Sequence, residues 1–270
     1  MNFRELIPYS KVFLGKVLGY RLHLFLSDTL VFDRYRWLKK WLPETNEDLE
    51  LIDVGCGSGA FTMAAASCGY NSIGLSWDKR DKEEATKFAK LAGFNSRVSF
   101  VISDARKLGQ KKSYKERFDV CLNFENIEHI IDDQKLMKDI YDILKPGGLL
   151  LFSTPNYFYR PISKSDKGPF NEVEDGGHVR RGYSTTMLRE LCQISGFEIE
   201  KISGCSGFFS QKITKIYRFC YPFSPLFAWL VILPLRILPP LFDKLIQRFL
   251  GGVNYSICMV AVKPRFHGKS

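Results

Sequence analysis

The chain has 270 residues, 45% hydrophobic and 25% charged, with a formal net charge of +10. This composition suits one large globular domain, or a domain with an appendage, and excludes a disordered, fibrous or disulfide-stapled small protein. Seven cysteines without a C-x-x-C spacing exclude a zinc framework and point to reduced thiols in a cytoplasmic protein.

In chain order, residues 1–45 read as a helical cap rich in aromatics. Asp33–Leu42 forms an amphipathic helix closed by Pro43. Strands and helices then alternate over 46–203: strands at Leu49–Val54, Ser72–Ser76, Val98–Ser103, Phe118–Asn123 and Leu149–Ser153, with helices at Ala60–Cys68, Lys79–Ala92 and Gln134–Leu144. Lys145–Gly148 reads as a turn. A loop over Thr154–His178, a helix at Thr185–Ser195 and a sixth strand at Phe197–Ile202 follow. Short apolar strands separated by helices predict an α/β fold, a parallel sheet covered on both faces. Residues 204–252 are an apolar insertion, and 253–270 hold the last strand and a basic tail.

The first strand ends in Asp53-Val54-Gly55-Cys56-Gly57-Ser58-Gly59, and a helix follows at once. Glycines at alternate positions remove Cβ atoms, so that a ligand can lie on bare backbone. The pattern resembles motif I of class I S-adenosylmethionine (SAM) methyltransferases, whose fold is Rossmann-like, and the later chain is similar to their ubiquinone-type O-methyltransferases. The resemblance implies SAM as cofactor, cradled by Asp53, Gly55, Cys56, Gly57 and Gly59, and an N-terminal helix that covers the SAM site or simply packs on the sheet. Family members carry an acid after the Gly-apolar pair of strand two to hold the ribose. Here Gly74-Leu75 is followed by Ser76, so Ser76 or Asp78 takes that role and Trp77 stacks on the adenosine. Asp104 and Ala105 fall where the family meets adenine, and Asn123 ends strand four beside the cofactor.

Glu125, Glu128 and His129 follow at i, i+3 and i+4, one face of a helical turn. In the similar O-methyltransferases this E-x-x-E-H binds a divalent cation. Three readings stand: a Mg²⁺ site on Glu125, Glu128 and His129, a metal-free general base at His129, or carboxylates that merely cap the next helix. His178, in the glycine-rich loop Gly168–Ser184, is an alternative base; the loop's charges are otherwise simply solvated.

From Cys205 onward nine basic residues face Asp243 alone, so the last quarter carries most of the positive field. Within it, Phe219–Leu235 is uncharged, interrupted by prolines and too short to span a bilayer; Asp243–Leu250 reads as a short amphipathic helix. Grease edged by Lys and Arg fits a lid on an anionic membrane surface, giving a peripheral membrane protein, or a helical cap over an apolar pocket. The expected acceptor is small and lipophilic: a quinone precursor, prenylated phenol, lipid or natural product, methylated on oxygen. Alternatives are a carbon methyltransferase or lipid-modifying SAM enzyme, to which Gly74-Leu75-Ser76 is similar through the cyclopropane-fatty-acid synthase type, and an inactive SAM-binding module. No nucleic-acid partner is expected, because no N/D-P-P-Y motif follows strand four.

Overall fold

A computed structural model describes residues 28–94, 96–162 and 165–265. The expected helical cap before residue 28 and the tail at Lys269 lie outside them. Seven strands form one sheet: β1 (Glu50–Val54), β2 (Asn71–Ser76), β3 (Val98–Ile102), β4 (Phe118–Phe124), β5 (Leu144–Pro155), β6 (Glu198–Cys205) and β7 (Ser256–Val262), in the order β3-β2-β1-β4-β5-β7-β6. The first five are mutually parallel. β7 runs antiparallel to both β5 and β6, so the sheet is mixed, and the β/α alternation that predicted parallel strands did not speak for its last strand. The reason is topological. The insertion leaves the C-terminal end of β6 and returns on the same edge, so the strand that fills the gap must run backwards.

Helices α1 (Thr29–Trp41), α2 (Ala60–Ala66), α3 (Lys79–Ala92), α4 (Asp133–Ile143) and α5 (Thr185–Ser195) cover the sheet; α6 (Phe208–Cys220), α7 (Pro225–Ile232) and α8 (Leu238–Leu250) form the insertion. Their boundaries follow local chemistry. Asp28, Asp78, Asp132 and Ser184 each accept a backbone N–H at a helix start, and Gly93 and Gly196 end α3 and α5 in the left-handed conformation.

Alternate strand residues feed two cores. Ile52, Val54, Phe118 and Phe152 pack towards α4 and α5, while Leu51, Leu122, Leu151 and Val260 meet Leu38 and Leu42 beside α2. Burial on both faces produces the continuous apolar runs seen in the sequence.

Three local expectations change. Lys145–Gly148 is no turn but the start of β5, which joins β4 across a register irregularity between Phe118 and Val120. The prolines of the insertion open elements instead of breaking them: Pro225 heads α7, Pro234 a 3₁₀ turn, and Pro239 and Pro240 stand at the start of α8, which begins five residues before the expected Asp243. Lys263 is not part of a surface field, since it is buried and donates to Glu116 at 3.2 Å and to the Leu144 carbonyl at 2.8 Å.

Candidate active site

Five strand ends converge on one cleft, the place where an open α/β sheet puts its ligand. At the end of β1 the backbone turns sharply: Gly55 N and Cys56 N both donate to the Leu75 carbonyl, at 3.0 and 2.8 Å. Gly55, Gly57 and Gly59 have φ of +81°, +50° and +78°. The three glycines have different reasons. A Cβ on Gly55 would lie 2.3 Å from Asn126 Cγ, and one on Gly59 would lie 2.5 Å from Phe100 Cζ. Gly57 instead has nothing of the described residues, its chain neighbours aside, within 4 Å of that position, so its backbone is bare among them. The Cys56 side chain turns away into a small cluster with Met63 and Phe100 and lines no cradle.

Asp53, behind the turn, is 1% exposed and accepts from Thr62 Oγ1 at 2.7 Å. Burial pushes its carboxyl up to about 7, against the lowering effect of that hydrogen bond. Asn123 is also buried and donates to the Val54 carbonyl at 3.2 Å. Among the described residues, Asn123 Oδ1 and Asn126 Nδ2 are buried without a hydrogen-bond partner.

At the end of β2, Asp78 is committed elsewhere. It caps α3 through Arg80 N at 2.7 Å and pairs with the Arg80 guanidinium at 2.8 Å, which holds its carboxyl below the usual range. Ser76 is buried and receives the Asp78 N–H at 3.2 Å. A further acid, Asp81, stands in the first turn of α3, where burial and the charge of Asp78 raise its carboxyl. Trp77 is 60% exposed and stands against Gly176, where a Cβ would meet its ring at 2.8 Å. After β3, Asp104 heads the 3₁₀ turn that begins at Ala105, accepting Arg106 N at 3.0 Å and pairing with the Arg106 guanidinium. Arg106 also holds Glu174 at 2.7 Å, so the rim loop is tied to this strand end.

The acceptor side is built from two segments far apart in sequence. Glu125, Glu128 and His129 do not share one helical face. Glu125 has a left-handed backbone, φ 49°, and only Ile127–His129 forms a 3₁₀ turn. Glu125 is held by its own N–H on the Ser153 carbonyl at 2.8 Å, by Ser153 Oγ at 3.0 Å and by Arg34 at 3.8 Å. Arg34 comes from α1, so this helix both packs on the sheet and reaches the cleft.

Glu128 is fully buried. Thr154 Oγ1 donates to its Oε2 at 3.1 Å, while Oε1 has no partner among the described residues. Burial, reinforced by the charge of Glu125, pushes its carboxyl well above the usual range. His129 Nδ1 lies 3.0 Å from the Gly177 carbonyl, and His129 and His178 meet edge-to-face with centroids 4.6 Å apart. A carbonyl only accepts, so Nδ1 bears the hydrogen and Nε2 the lone pair. Burial and the neighbouring His129 lower the His178 imidazole from its ordinary value. Arg34, Ser153, Thr154 and Gly177 carried no sequence signal, because only the fold brings them to the motif.

The family model of a methyltransferase domain matches residues 27–202. The chain belongs to the class I SAM-dependent methyltransferases. A sterol 4-C-methyltransferase from Caenorhabditis elegans is 26% identical over 235 residues, 79% of this chain and 66% of that protein. A ubiquinone biosynthesis O-methyltransferase from Cereibacter sphaeroides is 34% identical over 114 residues, 42% of this chain and 44% of that protein. The chain thus spans less than two thirds of the length of these curated relatives. In fold it is similar to phosphoethanolamine N-methyltransferase 2 of Haemonchus contortus, solved with SAM, at a TM-score of 0.62 and 18% identity over 94% of this chain and 59% of that one. The three names specify carbon, oxygen and nitrogen as the methylated atom, so the likeness leaves the acceptor open.

The residues of this methyltransferase fit SAM. The bare turn at Gly57, the unpartnered Asn123 Oδ1 and the buried acid Asp53 together offer close approach, an acceptor and a charge that a cationic ligand would relieve. A Mg²⁺ site fits less well. The side chains whose ligating atoms lie within 4.8 Å of one another are Glu128, His129 and His178, not the expected set with Glu125. Mg²⁺ is a hard ion that takes oxygen ligands, and this cluster offers two imidazoles and a single buried carboxyl.

Proposed function

We propose that this chain transfers the SAM methyl group to an oxygen of a small lipophilic acceptor, with His129 taking the acceptor's proton. The observation that carries this reading is the fixed tautomer of His129: Nδ1 is spent on the Gly177 carbonyl, which leaves the lone pair of Nε2 as the ring's proton acceptor.

Bound SAM supplies an electrophilic methyl group on a sulfonium. The protein's own part is positioning and proton handling. Alignment of the two reacting atoms contributes up to about 7–11 kcal/mol, and a positioned base about 10²–10⁴ in rate. Burial and His129 hold the His178 imidazole below its ordinary value, which disfavours a second positive charge beside an imidazolium formed at His129. Glu128 is held on its turn through Thr154, and Arg34 with Ser153 fixes Glu125 at the wall of the cleft.

The lipophilic acceptor is supported by the position of the insertion. It leaves at the end of β6 and returns at the start of β7, on the sheet edge that holds the cleft. Carbon methylation is the second reading, favoured by the sterol 4-C-methyltransferase match, which covers 79% of this chain against 42% for the O-methyltransferase. A methyl-labelled SAM assay with cell extract, partitioned between organic and aqueous phases, tests the proposal. Label in the organic phase as a methyl ether supports it; a carbon-bound methyl moves the reading to the second. Label only in the aqueous phase reopens soluble or nucleic-acid acceptors. Failure of the purified chain to bind SAM would leave an inactive module.

A further inference from the structure

Uncovered apolar surface is concentrated in the insertion. Of the 22 large hydrophobic side chains exposed among the described residues, 13 lie between Phe208 and Val253. Phe219, Phe223 and Phe249 are 72%, 76% and 75% exposed. Soluble monomers rarely leave so much grease in one place unless it binds something.

Its arrangement says what. On α8, Leu241, Leu245 and Phe249 recur every fourth residue as an exposed stripe, and Lys244 and Arg248 run beside them at the same spacing, exposed as well. On α6, Lys212 and Lys215 are exposed with Phe208, Ile216 and Phe219. The one acid of this region, Asp243, points inward: it accepts Phe209 N at 2.6 Å and Ser210 Oγ at 2.8 Å. Aromatic and aliphatic side chains alternating with unneutralised cations complement the boundary between acyl chains and anionic headgroups. A second copy of the chain would bring like-charged stripes together. No helix of the described residues is long and apolar enough to cross a membrane, so such a surface lies on the bilayer.

We propose that the α6–α8 face docks this protein on an anionic bilayer, with Phe219, Phe223, Leu245 and Phe249 at the acyl boundary and Lys212, Lys215, Lys244 and Arg248 at the lipid phosphates. A cavity of about 290 Å³ between the start of α6 and the end of α8 is lined by Phe208, Gln211, Ile246 and Val253 and by Arg160 of the loop after β5. It links the docking face to the loops of the substrate edge. The lipophilic-acceptor reading gains a membrane source from this face, yet docking stands without it, since vesicle binding needs neither cofactor nor acceptor.

The test is co-sedimentation of the whole chain with vesicles of phosphatidylcholine alone or mixed with phosphatidylglycerol. Binding to the mixed vesicles, weakened by added salt, is expected. The pair Lys244→Glu and Arg248→Glu should lower partitioning roughly tenfold or more. The pair Leu245→Ser and Phe249→Ser should lower it with the cations intact. SAM binding measured by calorimetry reports whether each variant is folded. Absence of wild-type binding overturns the proposal, as does equal binding by folded variants. So does sedimentation equilibrium that shows a wild-type dimer dissolved by both pairs, which would assign the face to a second copy.

Discussion

The sheet with its cleft and the three-helix insertion use the same residue types to opposite ends. In the first, Leu38 of α1 and Leu42 at its end are fully buried against the sheet, and charges near the cleft are spent on partners, as with Asp104 on Arg106 and Glu125 on Arg34. In the second, phenylalanines face outward beside exposed cations, of which Arg218 reaches Asp166 at 3.9 Å. The difference teaches that hydrophobic content alone does not locate a core. Apolar residues on two faces of a strand are consumed by packing, while an apolar stripe on an outer helix remains available to a ligand or surface.

Substitutions should separate the two regions, and the largest separation is in turnover. His129→Ala should lower turnover roughly 10²–10⁴-fold with SAM affinity unchanged in calorimetry, whereas Phe249→Ser should keep turnover on a detergent-dispersed acceptor. A His129 variant with full activity would remove the base from the cleft. The contrast in stability comes next. Leu38→Ala, in a fully buried site, should lose about 2–5 kcal/mol in denaturant unfolding, while Phe249→Ser, 75% exposed, should change stability by less than about 0.5 kcal/mol. A large loss at Phe249 would mean that the insertion is a packed cap.

A pH series sharpens the cleft side. The Asp53 carboxyl rises on folding from the ordinary 3.8 to about 7, so the folded state favours its protonated form. Its neutral form stabilises the protein fully below pH 3.8, and that benefit is lost as pH rises through about 7. Asp53→Asn should therefore raise the melting temperature of the SAM-free protein at pH 8 and weaken SAM binding. Gain without weaker binding would deny the acid a role at the cofactor. The smallest effect is expected at Glu128. Because burial and the charge of Glu125 favour its neutral form, Glu128→Gln should retain turnover within severalfold. A collapse of activity in a folded Gln variant would instead require an ionised carboxylate and reopen a cation at Glu128, His129 and His178.

Much of the fold was legible in the chain. The glycine turn after Asp53, the alternation of strands and helices to β5 and the cap at Ser184 are local chemistry, and local chemistry is written in neighbouring residues. The site was legible only in part. His129 and His178 were visible as separate candidates, but nothing in their 49-residue separation says that their rings meet. That Asp78 caps α3 and pairs with the Arg80 guanidinium was likewise not visible in the chain, since a helix-capping acid and a ligand-binding acid look alike in sequence.

The sequence by itself determined the α/β class, the SAM-type glycine turn and the existence of a greasy, basic insertion, since periodicity, glycine spacing and composition are properties of short segments. Tertiary structure alone decided that β7 runs backwards, that Arg34 reaches Glu125, that Glu128 is buried, and which phenylalanines stay outside. Strand direction, long-range pairing and burial depend on which distant segments share space, and an isolated stretch of sequence carries no term for that.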